Sequence, residues 1–414
     1  MNFFARYKKL WFALIFIAVV FGLGYLLWLF FFQSTVIVPV TTTTPGGTIN
    51  GLPAIGAAGT ATTTTGGPGT LPNGSVIPGA PTGGQVDTKA TGGLTKIQTL
   101  TDGPILNPTT SNNGQVQYYN QDDGRFYRID ASGKVTSLSD KIFHQVQNVT
   151  WAPDKNQAIL EYPDGSKILY NFSTKVQVTL PAHWKDFSFA PSSGQIVSKS
   201  IGLDPENRWL VVASPDGSNA KALEAIGTED KTVYPSWSPN SQIVAMYTQG
   251  VDFNRQEVFF VGLNGENFKS TIVEGRGFQS QWSTSGNQLL YSVYSTSDNL
   301  NPRLWIVDAN SNTIGQNRQS LDLATWSSKC TFASDTQVYC AVPENLPQGA
   351  GMFPELADQT KDDLYQIDLT TGSKKLIAVP NGVYNISQVI VPSAQNYLYF
   401  TDKSTGQLYK IQLK

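Results

Sequence analysis

Trp237-Ser-Pro-Asn-Ser-Gln-Ile-Val-Ala245 holds an aromatic residue, a proline-initiated polar turn and the start of an apolar strand within nine residues. Proline presets φ for a tight turn, and Asn and Ser complete it through their own short side chains. The apolar run continues through Met246 and Tyr247, and a further strand is expected at Glu257-Val-Phe-Phe-Val261. Asn264-Gly265 then supplies the positive φ that a short hairpin requires before a last edge strand.

The same grammar recurs along the chain. Leu106-Asn-Pro108, Trp151-Ala-Pro153, Phe189-Ala-Pro191, Trp237-Ser-Pro239, Trp282-Ser-Thr284, Trp326-Ser-Ser328 and Ile390-Val-Pro392 mark seven units, 38 to 48 residues apart except for a sixth unit of 64. A period of roughly 40–50 residues with strand-only content is the signature of a β-propeller, each repeat forming one four-stranded blade. The tryptophans are then blade-core residues. After Ile390 only two strands remain, near 396–401 and 407–413, so the last blade lacks an outer strand. Thr95-Lys-Ile-Gln-Thr-Leu100 is an alternating strand with no blade of its own, and it is expected to pair with the C-terminal strand and clasp the ring.

The Trp-Ser-Pro-Asn-Ser-Gln-Ile-Val-Ala phrase and its Asn264-Gly265 turn resemble the repeat of TolB-type, WD-repeat-like periplasmic propellers. The resemblance covers roughly residues 95–414 and implies the propeller fold. That family's N-terminal α/β domain has no counterpart here.

In its place Arg6, Lys8 and Lys9 precede an uncharged apolar run, Leu10–Phe32. As a helix its 23 residues span about 34 Å, enough for a bilayer core of roughly 30 Å. The run is longer than a signal-peptide core and lacks an Ala-x-Ala-like cleavage site, so a retained signal anchor is expected. The next charge is Asp87, and the positive-inside rule places the N-terminus in the cytoplasm. Thr41–Thr44, Thr62–Thr65 and repeated Gly-Gly pairs then form a segment too poor in apolar surface to fold. The expected organisation is a cytoplasmic tail over 1–9, a transmembrane anchor over 10–32, a disordered Thr/Gly/Pro-rich linker over 33–94 and the propeller over 95–414. The expectation is therefore a single-pass membrane protein with its C-terminal domain outside the cytoplasm.

Charged residues make up 14% of the chain with a net charge of -2, which supplies no basic stripe for nucleic acid. Cys330 and Cys340 lie symmetrically about Asp335; as partners across a hairpin they suit a disulfide in an oxidising compartment. No Gly-x-Ser-x-Gly or His-Glu-x-x-His occurs, and His144 and His183 fall in connections between blades. No catalytic residue, metal or cofactor is assigned.

In a four-stranded blade the loop between strands two and three leaves on the same face as the connections between blades. Four such loops are long: Gly202–Asn207, Gln249–Gln256, Ser295–Pro302 and Pro343–Lys361. Long loops on a rigid scaffold are where function concentrates. The candidate partner-binding face comprises Asp204, Glu206, Asp252, Asn254, Arg255, Asp298, Asn299, Arg303, Met352, Phe353 and Leu356. The expected function is a protein-binding or scaffolding module at the cell envelope. The alternative is a small-molecule or glycan sensor, or a lyase-like enzyme, using the central channel.

Overall fold

The computed structural model describes residues 16–23, 25–26, 86–111 and 113–413. The chain divides into two units, Met1–Val76 and Ile77–Lys414. Within the first, residues 16–23 and 25–26 are helical. Among the described residues no helix is long and apolar enough to cross a membrane. The remainder of the expected anchor and most of the linker lie outside the described residues.

The second unit is a seven-bladed β-propeller. Blades one to five are four-stranded meanders that begin at Ile105–Thr110, Asn148–Trp151, Trp184–Phe189, Val233–Pro235 and Arg276–Trp282. Blade six runs Cys330–Ser334, Gln337–Pro343, Asp362–Asp368, Lys374–Pro380, and blade seven runs Ile386–Ile390, Tyr397–Asp402, Leu408–Gln412. First strands of successive blades touch one another, as Trp184–Phe189 touches both Asn148–Trp151 and Val233–Pro235, so they line the axis.

The repeated proline phrase has a clear local cause. In Ala152-Pro-Asp-Lys155, Ala190-Pro-Ser-Ser193 and Ser238-Pro-Asn-Ser241, the last N–H donates to the first carbonyl at 3.0, 2.8 and 2.9 Å. Each closing residue is left-handed, with φ of 61°, 59° and 62°. This is a type I turn followed by a bulge, a standard way to close a hairpin. Gly286 takes that position in blade five, at φ 74°, where the proline has become Thr284.

Apolar side chains of adjacent blades pack at every junction. Ile243, Met246, Val258, Leu289, Tyr291 and Val307, for example, form the seam between blades four and five. Ile105, Tyr118, Ile390 and Tyr399 form the one that joins blade seven to blade one. Two of the anchor tryptophans also bond backwards to the preceding blade: Trp151 Nε1 donates to the Asn107 carbonyl at 2.8 Å and Trp282 Nε1 to Ser236 Oγ at 2.9 Å. Burying these seams is the main favourable term for the ring.

Closure follows the expected route. Gln98–Thr99 pairs antiparallel with Leu408–Gln412, with Gln98 opposite Lys410 and Thr99 opposite Tyr409. Leu94–Thr95 adds an unforeseen contact, a parallel fifth strand on blade six opposite Val379 and Pro380. The segment before it also joins the ring, through bridges from Asp87 to Thr95 and from Lys89 to Gln412.

Two expectations are corrected. The sixth anchor is Phe332-Ala-Ser334, on the strand that precedes the Asp335 turn, and not Trp326-Ser-Ser328. Trp326 belongs to the connection between blades, where it packs with Ala350, Ala357 and Leu346. Gln249–Gln256 is not an open loop. Strand Ala245–Asp252 continues to pair with Arg255–Val261 up to Asp252 opposite Arg255, giving an extended hairpin with Phe253 and Asn254 at its tip.

Candidate functional site

Antiparallel order within a blade puts the second-to-third-strand connections and the inter-blade connections on one face. Blades three to six elaborate that face. Asp204 precedes and Glu206 lies within a single 3-10 turn, Pro205–Asn207, and both are exposed. Asp252 and Arg255 form an ion pair, Oδ2 to Nη2 2.7 Å, across the tip of the extended hairpin. Asp298 accepts from Arg303 Nε at 2.8 Å and so straps the blade-five loop to its own strand. Most of these charged groups therefore satisfy each other.

The loops are also tied to their neighbours. Asn254 Oδ1 accepts from both the N–H and the hydroxyl of Thr296 at 3.0 Å, linking blades four and five. The Gly349 and Gly351 N–H groups donate to the Asn299 and Leu300 carbonyls at 2.9 Å, laying the longest loop over blade five. A Cβ on Gly351 would meet the Leu300 carbonyl at 2.7 Å, so this close approach requires glycine. At its far end Asn385 Nδ2 donates to the Ala357 carbonyl at 2.7 Å, and Lys403 of blade seven pairs with Asp358.

Held by these ties, Met352, Phe353 and Leu356 remain exposed, as expected from the sequence. Two further apolar residues that sequence reading did not single out join them. Leu203 is 97% exposed on blade three and Phe253 is 58% exposed at the hairpin tip. Each is a lone apolar residue within a polar turn, a pattern with no periodicity to mark it.

Beneath the longest loop lies a buried polar network. Lys329 Nζ donates to Asp362 Oδ1 and Oδ2 at 3.0 and 2.8 Å and to Asn385 Oδ1 at 3.1 Å. Asp362, 0% exposed, also accepts the Ile386 N–H at 2.6 Å. Burial pulls the Lys329 ammonium below its ordinary pKa and pushes the Asp362 carboxyl up, while each charge opposes the other's shift. At the loop's base Asp363 is pushed up to about 6 by burial and by the charge of Glu344.

Cys330 and Cys340 are disulfide-bonded and directly opposed, with Cα atoms 4.0 Å apart. His144 and His183 are exposed in the blade one–two and two–three connections. Among the described residues no cluster of three or more His, Cys, Asp or Glu could hold a metal ion. Asn385, within an Asn-x-Ser sequence, is buried with its amide engaged on both sides.

No protein-family model matches the chain, and no curated protein does. Solved structures do. The β-propeller domain of Cps50 (Swd1) from Myceliophteria thermophila aligns with a TM-score of 0.52 at 12% identity, over 77% of this chain and 100% of that one. A chain of the mitotic checkpoint complex gives 0.51 at 12%, over 83% and 98%. Oligogalacturonate lyase from Vibrio parahaemolyticus gives 0.51 at 10%, over 77% and 93%. At such identities the likeness concerns the fold alone, a β-propeller.

Proposed function

We propose that this chain is a membrane-tethered, extracytoplasmic propeller that binds or scaffolds a protein partner at the cell envelope, and that it is not an enzyme. The apolar run Leu10–Phe32 behind Arg6, Lys8 and Lys9 supports the tether, and the Cys330–Cys340 bond suits an oxidising compartment. The repeat resembles that of TolB-type periplasmic propellers.

The observation that carries the reading is the set of exposed Phe253, Met352, Phe353 and Leu356 on loops of blades four to six knitted together by hydrogen bonds, with exposed Leu203 on the neighbouring blade three. Large apolar side chains held rigidly in water suit the core of a protein interface. Among the described residues the exposed Asp204, Glu206 and Glu355 form no ion pair, and neither do Arg208, bonded to the Gly202 and Leu203 carbonyls, or Arg276, bonded to the Asp252 carbonyl, so the charge around the apolar residues is mixed. The partner that fits presents apolar anchors with a polar rim.

Point substitutions test this better than removal of residues 349–356, which would also strip the ties to blade five. In a pull-down of the full chain from its own membranes, Phe253→Asp/Phe353→Asp should cut recovery of an identified partner at least tenfold. The melting temperature should stay within about 2 °C, as for exposed positions. Undiminished recovery refutes the assignment.

A further inference from the structure

The first strand of blade six starts at Cys330, only two residues before its anchor Phe332. That of blade five starts at Arg276, six before Trp282. The missing length is replaced by the 3-10 turn Ser327–Lys329, which touches the first strands of both blade five and blade seven. A hollow of about 190 Å³ opens there at the axial edge of the loop face. Trp326, Pro354 and Ala357 form apolar walls; Gln279, Ser328 and Ser387 supply polar groups.

The charges around this hollow are internally matched. Lys329 spends its three protons on Asp362 and Asn385, and Lys403 pairs with Asp358. A charged ligand would find no free counter-ion among these groups. Among the described residues the Gln279 amide and the Ser328 hydroxyl, by contrast, find no hydrogen-bond partner, and both are exposed at the hollow. Its volume is below that of a drug-sized pocket of about 300 Å³ and suits one side-chain-sized group.

We propose that this hollow binds an uncharged primary carboxamide, which pairs head-to-head with the Gln279 amide. A carboxamide carries donor and acceptor side by side, so two of them exchange reciprocal N–H···O bonds. Ser328 offers a third partner, and Trp326, Pro354 and Ala357 cover the methylene stem. Only the source of the amide, an Asn or Gln side chain of the docked partner, rests on the function proposed above; the pocket's chemistry stands apart from it.

The test is ligand-observed saturation-transfer NMR on the full chain with N-acetylglutamine methylamide. The near-isosteric glutamate and leucine derivatives serve as comparisons. Saturable binding of the glutamine probe is expected, at least tenfold tighter than either comparison. Gln279→Leu should weaken it at least tenfold, and Ser328→Ala, at an exposed position, provides a second reading should Gln279→Leu fail to fold. Phe253→Asp/Phe353→Asp, outside the hollow, should leave probe binding unchanged while cutting partner recovery at least tenfold, which separates this proposal from the docking face. No saturable signal, equal binding of the glutamate probe, or indifference to both pocket substitutions overturns it.

Discussion

Replacing Lys329 by Met isolates the energetics of the network that supports the long loop. Lys329 is 7% exposed, and among the described residues its ammonium is the one cation paired with Asp362. Without it, the fully buried carboxylate keeps only the Ile386 N–H. Removing one member of a buried pair costs about 3–5 kcal/mol, because the remaining charge is stranded. At about 2–4 °C per kcal/mol for a large domain, the melting temperature should fall by roughly 6–20 °C. Lys329→Met/Asp362→Asn removes both charges, and the new amide oxygen can still accept from Ile386, so most of the loss should be recovered. Thermal unfolding of wild type, both single variants and the double variant on the full chain completes the cycle. A single-variant cost below about 1 kcal/mol, or a double-variant cost equal to the sum of the singles, refutes the reasoning.

Asp363 sets a pH dependence. Its carboxyl, pushed up to about 6 in the fold, titrates near 3.8 when unfolded, so the folded chain holds the extra proton between those values. Stability should therefore rise as pH falls from 7.5 through 6 towards 4, and Asp363→Asn should remove that gain in urea titrations at each pH. Cys330→Ser/Cys340→Ser opens a loop with a sequence separation of 10 and should cost about 2–3 kcal/mol in the same assay. Gln98→Pro removes the N–H that the closing strand turns towards Lys410 and should destabilise by about 2 kcal/mol or more, well beyond Gln98→Ala. Hydrogen exchange should place the loss in blade seven.

The ring could be read from the chain because its determinants are local. Ala152-Pro-Asp-Lys155 and its repeats encode a turn by proline and a left-handed residue four positions apart at most, and the aromatic just before each turn meets the neighbouring blade. Blade six misled the same reading: Trp326-Ser-Ser328 imitates Trp282-Ser-Thr284, but what distinguishes them is tertiary. Trp326 is taken up under the loop by Ala350 and Ala357, leaving Phe332 to serve as the anchor. Likewise Gly250-Val-Asp-Phe-Asn-Arg255 has loop composition, and only pairing with the opposite strand keeps it extended. The candidate face was legible through loop length. The exposure of Leu203 and Phe253 was not, since a lone apolar residue in a turn is as often buried as bare. The Lys329–Asp362–Asn385 network joins positions up to 56 residues apart with no shared motif.

The most direct test of the docking face is photocrosslinking in intact cells with a benzophenone amino acid placed at Phe253 or Phe353. Ser192, exposed on the first hairpin of blade three, provides the control on the opposite face. The account predicts one and the same protein adduct from positions 253 and 353 and none from 192. Absence of an adduct at both loop positions, or an equal yield from 192, contradicts it.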